Sequence, residues 1–133
     1  MQDKIKDIAP VIQHWIDSSE ENYRSMHNLL KSKEYSWALF LGHLVLEKLL
    51  KALYVKKLHE HAIFKHDLLR LARMIELELP ANFEEWLDEI STFNLNARYD
   101  NYKYNFSKLC TKEFTDNWTK IIELIRLWLI KQL

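Results

Sequence analysis

One glycine and two prolines among 133 residues leave this chain few ways to fold. Hairpins and irregular linkers consume turn residues, because only glycine reaches positive φ without steric cost and only proline arrives with φ preset. Their scarcity excludes all-β folds and disordered linkers. It predicts an all-α protein, an up-and-down helical bundle of four main helices plus one short helix. At this length residues 1–133 form a single domain with its own core. Nineteen basic residues balance nineteen acidic ones, so no global field draws the chain to nucleic acid or membrane, and any anion site must be local. Cys110 has no intramolecular partner, and there is neither a secretory signal nor an apolar span of membrane length. The expectation is a cytoplasmic protein without membrane association.

Helical periodicity divides the chain. The first helix is expected from Ile8 to Lys31, with Pro10 in its first turn and Ile12, Trp15, Ile16, Ser19, Tyr23, Met26 and Leu30 in one stripe. Ser32 is a candidate cap for a second helix from Lys33 to His59. Between Trp37 and Leu46 that helix is apolar nearly all round, so it must be packed on more than one side, by neighbouring helices or partly by a second copy of the chain. Lys65-His66-Asp67 opens a third helix reaching Leu77. Asn82 and Glu85 read as a capping box for a short helix through Phe93. Thr111 can cap a last helix whose stripe runs from Phe114 to Leu129.

Between the last two patterns stands the segment Asn96-Ala97-Arg98-Tyr99-Asp100-Asn101-Tyr102-Lys103-Tyr104. Read as a long connection from Asn94 to Cys110, it is the place to look for chemistry. Its fixed cation and flat rings suit phosphate and base recognition. It has no histidine, cysteine or serine, and so no obvious proton-transfer group near neutral pH.

Four short motifs resemble the HEPN family of small helical bundles. They are the aromatic-to-EK-x-LKA run from Tyr35 to Ala52 containing Glu47-Lys48-Leu49-Leu50-Lys51, His66-Asp67-Leu68 with Leu71, Ala97-Arg98-Tyr99-Asp100, and the Trp15-Ile16 opening. Each alone is weak, but their order along the chain is that of the family. The resemblance implies a homodimer with its polar motif near the dimer cleft. It also implies a nucleotidyltransferase protein as partner in a toxin–antitoxin-like pair. One branch of the family cleaves RNA without metal through R-x4-6-H. Counting from Arg98, the positions for that histidine hold Lys103, Tyr104 and Asn105. Amines and phenols, with ordinary pKa values of about 10.4 and 10, are poor bases at neutral pH. Tyr104 is the nearest match to a tyrosine that partner enzymes of the family adenylylate.

The expected function is therefore nucleotide or RNA binding as partner of a minimal nucleotidyltransferase, without the usual ribonuclease histidine. The first alternative is a metal-independent endonuclease using Arg98 with His43 as proton-transfer group. The second is a purely structural subunit. The nucleotide- or phosphate-binding residues are taken as Arg98, Tyr99, Tyr102, Lys103, Lys48 and Lys51, the two last by resemblance alone. For Arg98 the competing reading is a surface pair with Asp100. For His43 it is a hydrogen-bonded core imidazole. For Glu47 and Lys51 it is a solvated i,i+4 pair. No cofactor or metal centre is expected, because His59 and His61 point to different helix faces and no cysteine stands near His66.

Overall fold

The computed structural model describes residues 4–63 and 66–133. Lys65, named in the expected opening of the third helix, lies outside them. Six helices occur among the described residues: α1 (Ile8–Lys31), α2 (Tyr35–Leu58), α3 (Leu68–Met74), α4 (Phe83–Arg98), α5 (Asp100–Leu109) and α6 (Lys112–Gln132). The fold is all-α. The count of one short helix is corrected, because α3 stops after seven residues, α4 extends to sixteen, and the expected loop contains α5.

Helix α2 is the hub. Ala38, Leu39, Val45, Leu46, Leu50, Ala52 and Val55 are completely buried, with α1, α6, α4 and α3 packed around them. A tight turn between two 24-residue helices makes α1 antiparallel to α2. The buried Ser19 hydroxyl ties them by donating to the Val45 carbonyl at 2.9 Å. A Cβ at Gly42 would stand 2.6 Å from Ile122 Cδ1 and 3.2 Å from Met26 Sδ, so the one glycine lets α1 and α6 close on α2 together. The all-round apolar stretch is thus covered largely by the chain's own helices, and only a flank with Trp37, Phe40, Leu41 and Leu44 stays half-buried.

With the glycine used there, the turns fall to other residues. Ser32 does not cap α2. Its hydroxyl returns to the Asn28 and Leu29 carbonyls at the end of α1. Lys33 adopts φ 62, while Glu34 N–H bonds the Leu29 carbonyl and Lys33 N–H the Leu30 carbonyl, the paired bonds of a Schellman turn. Glu76, at φ 55, repeats this after α3, with Leu77 N–H on the Ala72 carbonyl and Glu76 N–H on that of Arg73. Asn82 lies at φ 74 and makes no side-chain cap bond, so the expected capping box does not form. Asp67 and Thr111 do cap, accepting from Arg70 N–H at 3.1 Å and Phe114 N–H at 3.2 Å. Cys110 is buried, and burial pushes its thiol up to about 12, which makes it inert at neutral pH. No helix among the described residues is long and apolar enough to cross a membrane.

Candidate nucleotide or RNA interface

Arg98 is the last residue of α4, and Tyr99, extended at φ −94 and ψ 131, is the corner that redirects the chain into α5. The segment read as a loop is helical because Asp100–Leu109 holds no glycine or proline and presents Phe106 to the core. Phe106 packs against Phe93, with ring centroids 5.4 Å apart. This anchor turns the rest of α5 outward, and it separates the tyrosines. Lys103 and Tyr104 face a 420 Å³ concavity with Glu34, Ser36, Trp37, Asp100 and Ser107, whereas Tyr102 lines a smaller hollow with Asn96, Asn105, Phe106 and Leu109.

Arg98 Nε donates to its own helix at the Asn94 carbonyl, 3.2 Å away. The guanidinium carbon stands 5.5 Å from the Phe40 ring centroid and 5.6 Å from that of Tyr99. Beside it, Lys103 Nζ lies 5.1 Å from the Trp37 ring centroid, and Trp37 meets Phe40 edge-on. Among the described residues no carboxylate forms an ion pair with Arg98, and the alternative pairing with Asp100 is not present. Two cations therefore rest on aromatic surface with their charge unneutralised by contact, each held through ring contacts weak enough to exchange for a phosphate.

The other expected residues go elsewhere. Lys51 sits eleven positions beyond Phe40 on α2, about 16 Å along the axis. It pairs with Glu47 Oε2 at 2.8 Å and lies 5.0 Å from the Trp15 ring centroid. Lys48 turns to α1, where Nζ donates to Asn22 Oδ1 at 2.5 Å. Neither shares the Arg98 corner. Burial lowers the Lys48 pKa, opposed by Glu47 and Glu21. His43 is wholly buried. Burial first, then the charges of His66 and Arg98, push its pKa down to about 4 against the opposing pull of Glu47 and the His66 carbonyl. Such a neutral imidazole without solvent contact does not reach a surface substrate, which corrects its candidacy as proton-transfer group.

Glu47 is not a solvated partner of Lys51 but the centre of a buried cluster. Its Oε1 accepts from His66 N–H at 3.1 Å and faces His66 Nδ1 at 2.8 Å and His43 Nε2 at 3.5 Å. Burial disfavours this carboxylate, yet Lys51 and the two imidazoles outweigh burial and hold its pKa below the ordinary value.

Trp37 and Phe40 are the rings under these two cations that sequence reasoning missed. Both stand inside the most apolar run of the chain, where a ring reads as core. The available signal was their spacing, which puts them with Glu47 and Lys51 on neighbouring turns of one α2 face.

The family model described as HEPN domain matches residues 12–133, and the chain belongs to the HEPN domain family. Among solved structures, TT1696 from Thermus thermophilus superimposes with a TM-score of 0.76 at 18% identity, covering 92% of this chain and 98% of that one. At that identity the likeness is one of fold. No curated protein matches the sequence closely enough to count as a relative.

Proposed function

We propose that this chain is a nucleotide- or RNA-binding HEPN protein whose binding surface is the corner of α2, α4 and α5. Membership in the family supports a general nucleotide- or RNA-related role. The observation that carries the finer reading is Arg98, free of ion pairs among the described residues and braced between the Phe40 and Tyr99 rings. Lys103 over Trp37 adds a second cation and a stacking surface beside it. In this reading the chain acts as a homodimer and as partner of a minimal nucleotidyltransferase in a toxin–antitoxin-like pair. It binds its ligand without cutting it.

Titrating a fluorescent oligoribonucleotide with the protein tests this. Arg98→Ala is expected to weaken binding about 10- to 100-fold, the value of one or two charge-assisted hydrogen bonds. Lys48→Ala, remote from the corner, is expected to leave affinity within about twofold, because surface substitutions outside an interface change little. Binding should fall as salt rises, since phosphate contacts release counterions. Equal affinity in wild type and Arg98→Ala contradicts the assignment. Metal-independent cleavage that disappears in Arg98→Ala would make the protein a nuclease instead.

A further inference from the structure

Glu47, His43 and His66 bring two imidazole nitrogens and a carboxylate oxygen within 4.8 Å of one another, although His66 is remote in sequence from the two α2 residues. We propose that they form a binding site for one divalent transition-metal ion, with zinc the best match. This site adjoins the Arg98 corner, because Phe40 stacks on His43 with ring centroids 6.4 Å apart, but it does not depend on the nucleotide reading.

The donor set is two imidazoles and one carboxylate, the borderline-soft combination that binds zinc through three protein ligands and leaves a fourth position open. Bonds of about 2.0–2.2 Å in a tetrahedron place neighbouring ligand atoms about 3.3 Å apart. The observed separations from Glu47 Oε1, 2.8 Å to His66 Nδ1 and 3.5 Å to His43 Nε2, fall on either side of that value. The two imidazole nitrogens lie within 4.8 Å of each other, so the rings turn toward one another to admit the ion. Division of labour within the carboxylate fits as well: Lys51 engages Oε2, while Oε1 faces both imidazoles and also accepts from the His66 N–H, which favours monodentate ligation through Oε1.

His43 aims its Nε2 at the same point. Its side chain is completely buried, and its Nδ1 has no partner among the described residues. Its Nε2 points into the cluster with only two long contacts, to Glu47 Oε1 and to the His66 carbonyl at 3.3 Å. Neither is a strong hydrogen bond. A cation at Nε2 would replace those two long contacts with one bond and move the ring proton to Nδ1, which stays buried without an acceptor among the described residues. His66, whose side chain is 37% exposed, provides the route of entry and the side on which the fourth position opens. Loading replaces the proton shared between His66 Nδ1 and Glu47, which leaves to solvent. The ion would fasten the connection before α3 onto α2.

Wild-type protein is stripped with chelator, incubated with Zn²⁺, desalted and analysed for metal. One ion per chain is expected. Co²⁺ in its place should give the visible absorption of a tetrahedral site. His66→Gln should lose both signals, with affinity reduced beyond the roughly 10- to 100-fold that loss of an outer-sphere partner costs. The double variant His59→Gln, His61→Gln should keep them. A readout on wild type alone covers the case of a variant that misfolds: Zn²⁺ should shift the ring-nitrogen resonances of His43 and His66 ahead of those of the other histidines. Metal-free wild type after desalting, unchanged retention in His66→Gln, or ring shifts confined to other histidines would overturn the site.

Discussion

Glu47→Ala is expected to cost about 3 to 5 kcal/mol of folding stability, the loss typical of breaking a buried charge network from one side. Four groups converge on this carboxylate: Lys51 Nζ, His66 N–H, His66 Nδ1 and His43 Nε2. Removing it strands a Lys51 ammonium whose side chain is only 12% exposed and takes the acceptor from the His66 backbone N–H. Each must be desolvated without compensation. Against a total stability of about 5 to 15 kcal/mol for a domain, the variant approaches its unfolding threshold at room temperature. Glu47→Gln keeps the shape and one acceptor oxygen, so its loss should be smaller, about 1 to 3 kcal/mol. Urea denaturation in the presence of EDTA gives both values. A Glu47→Ala protein within about 1 kcal/mol of wild type would show that the cluster is far more hydrated than its burial implies.

Acidification gives the second large effect. His43 titrates at about 4 in the folded protein against an ordinary value of 6.5. Between these values the unfolded chain takes up a proton that the folded chain refuses, so stability rises with pH across the window and is lost as pH falls from 6.5 to about 4. At 1.36 kcal/mol per pKa unit the loss approaches about 3 kcal/mol. Below the ordinary carboxylate range the depressed Glu47 adds to it, because its stabilisation is present above the unfolded pKa and disappears as the folded carboxylate protonates. Urea midpoints measured in EDTA should hold from about pH 7.5 to 6.5 and fall from there to about 4.5, and His43→Leu should flatten that fall. A wild-type midpoint unchanged across that interval would contradict the burial of a neutral His43.

Much of the scaffold could be read from residue patterns, because its long helices carry continuous stripes. The bounds Ile8 and Lys31 of α1 follow from Pro10 in the first turn and the run from Ile12 to Leu30. Thr111 caps α6 through a local bond that needs no tertiary information. The departures also have local causes. Lys33 and Glu76 occupy left-handed positions that usually go to glycine or asparagine, so neither Schellman turn carries a composition signal. α5 buries Phe106 alone, too little for a periodic pattern to register.

The candidate surface was half legible for the same reason. Arg98 and Lys103 stand out as cations in a polar aromatic segment, but Trp37 and Phe40 lie far earlier in the chain, inside an apolar run. Only packing of the α4–α5 corner against α2 shows that they are the rings under those cations. Glu47 and Lys51 read locally as a solvent-exposed pair. The carboxylate is buried because His66, nineteen positions away, folds back onto it. Sequence spacing within one helix holds no trace of that contact.

The central claim, that anionic ligand is received where Arg98 and Lys103 rest on Phe40, Tyr99 and Trp37, is tested most directly by backbone amide NMR. Labelled protein would be titrated with a short oligoribonucleotide at low salt. The expected shifts concentrate in residues 36–41 and 98–107, with the Trp37 indole among the largest, and leave the Lys48–Asn22 contact and the C-terminal half of α6 unmoved. Shifts confined to α6, or an unchanged spectrum at ligand concentrations that saturate fluorescence, would contradict it.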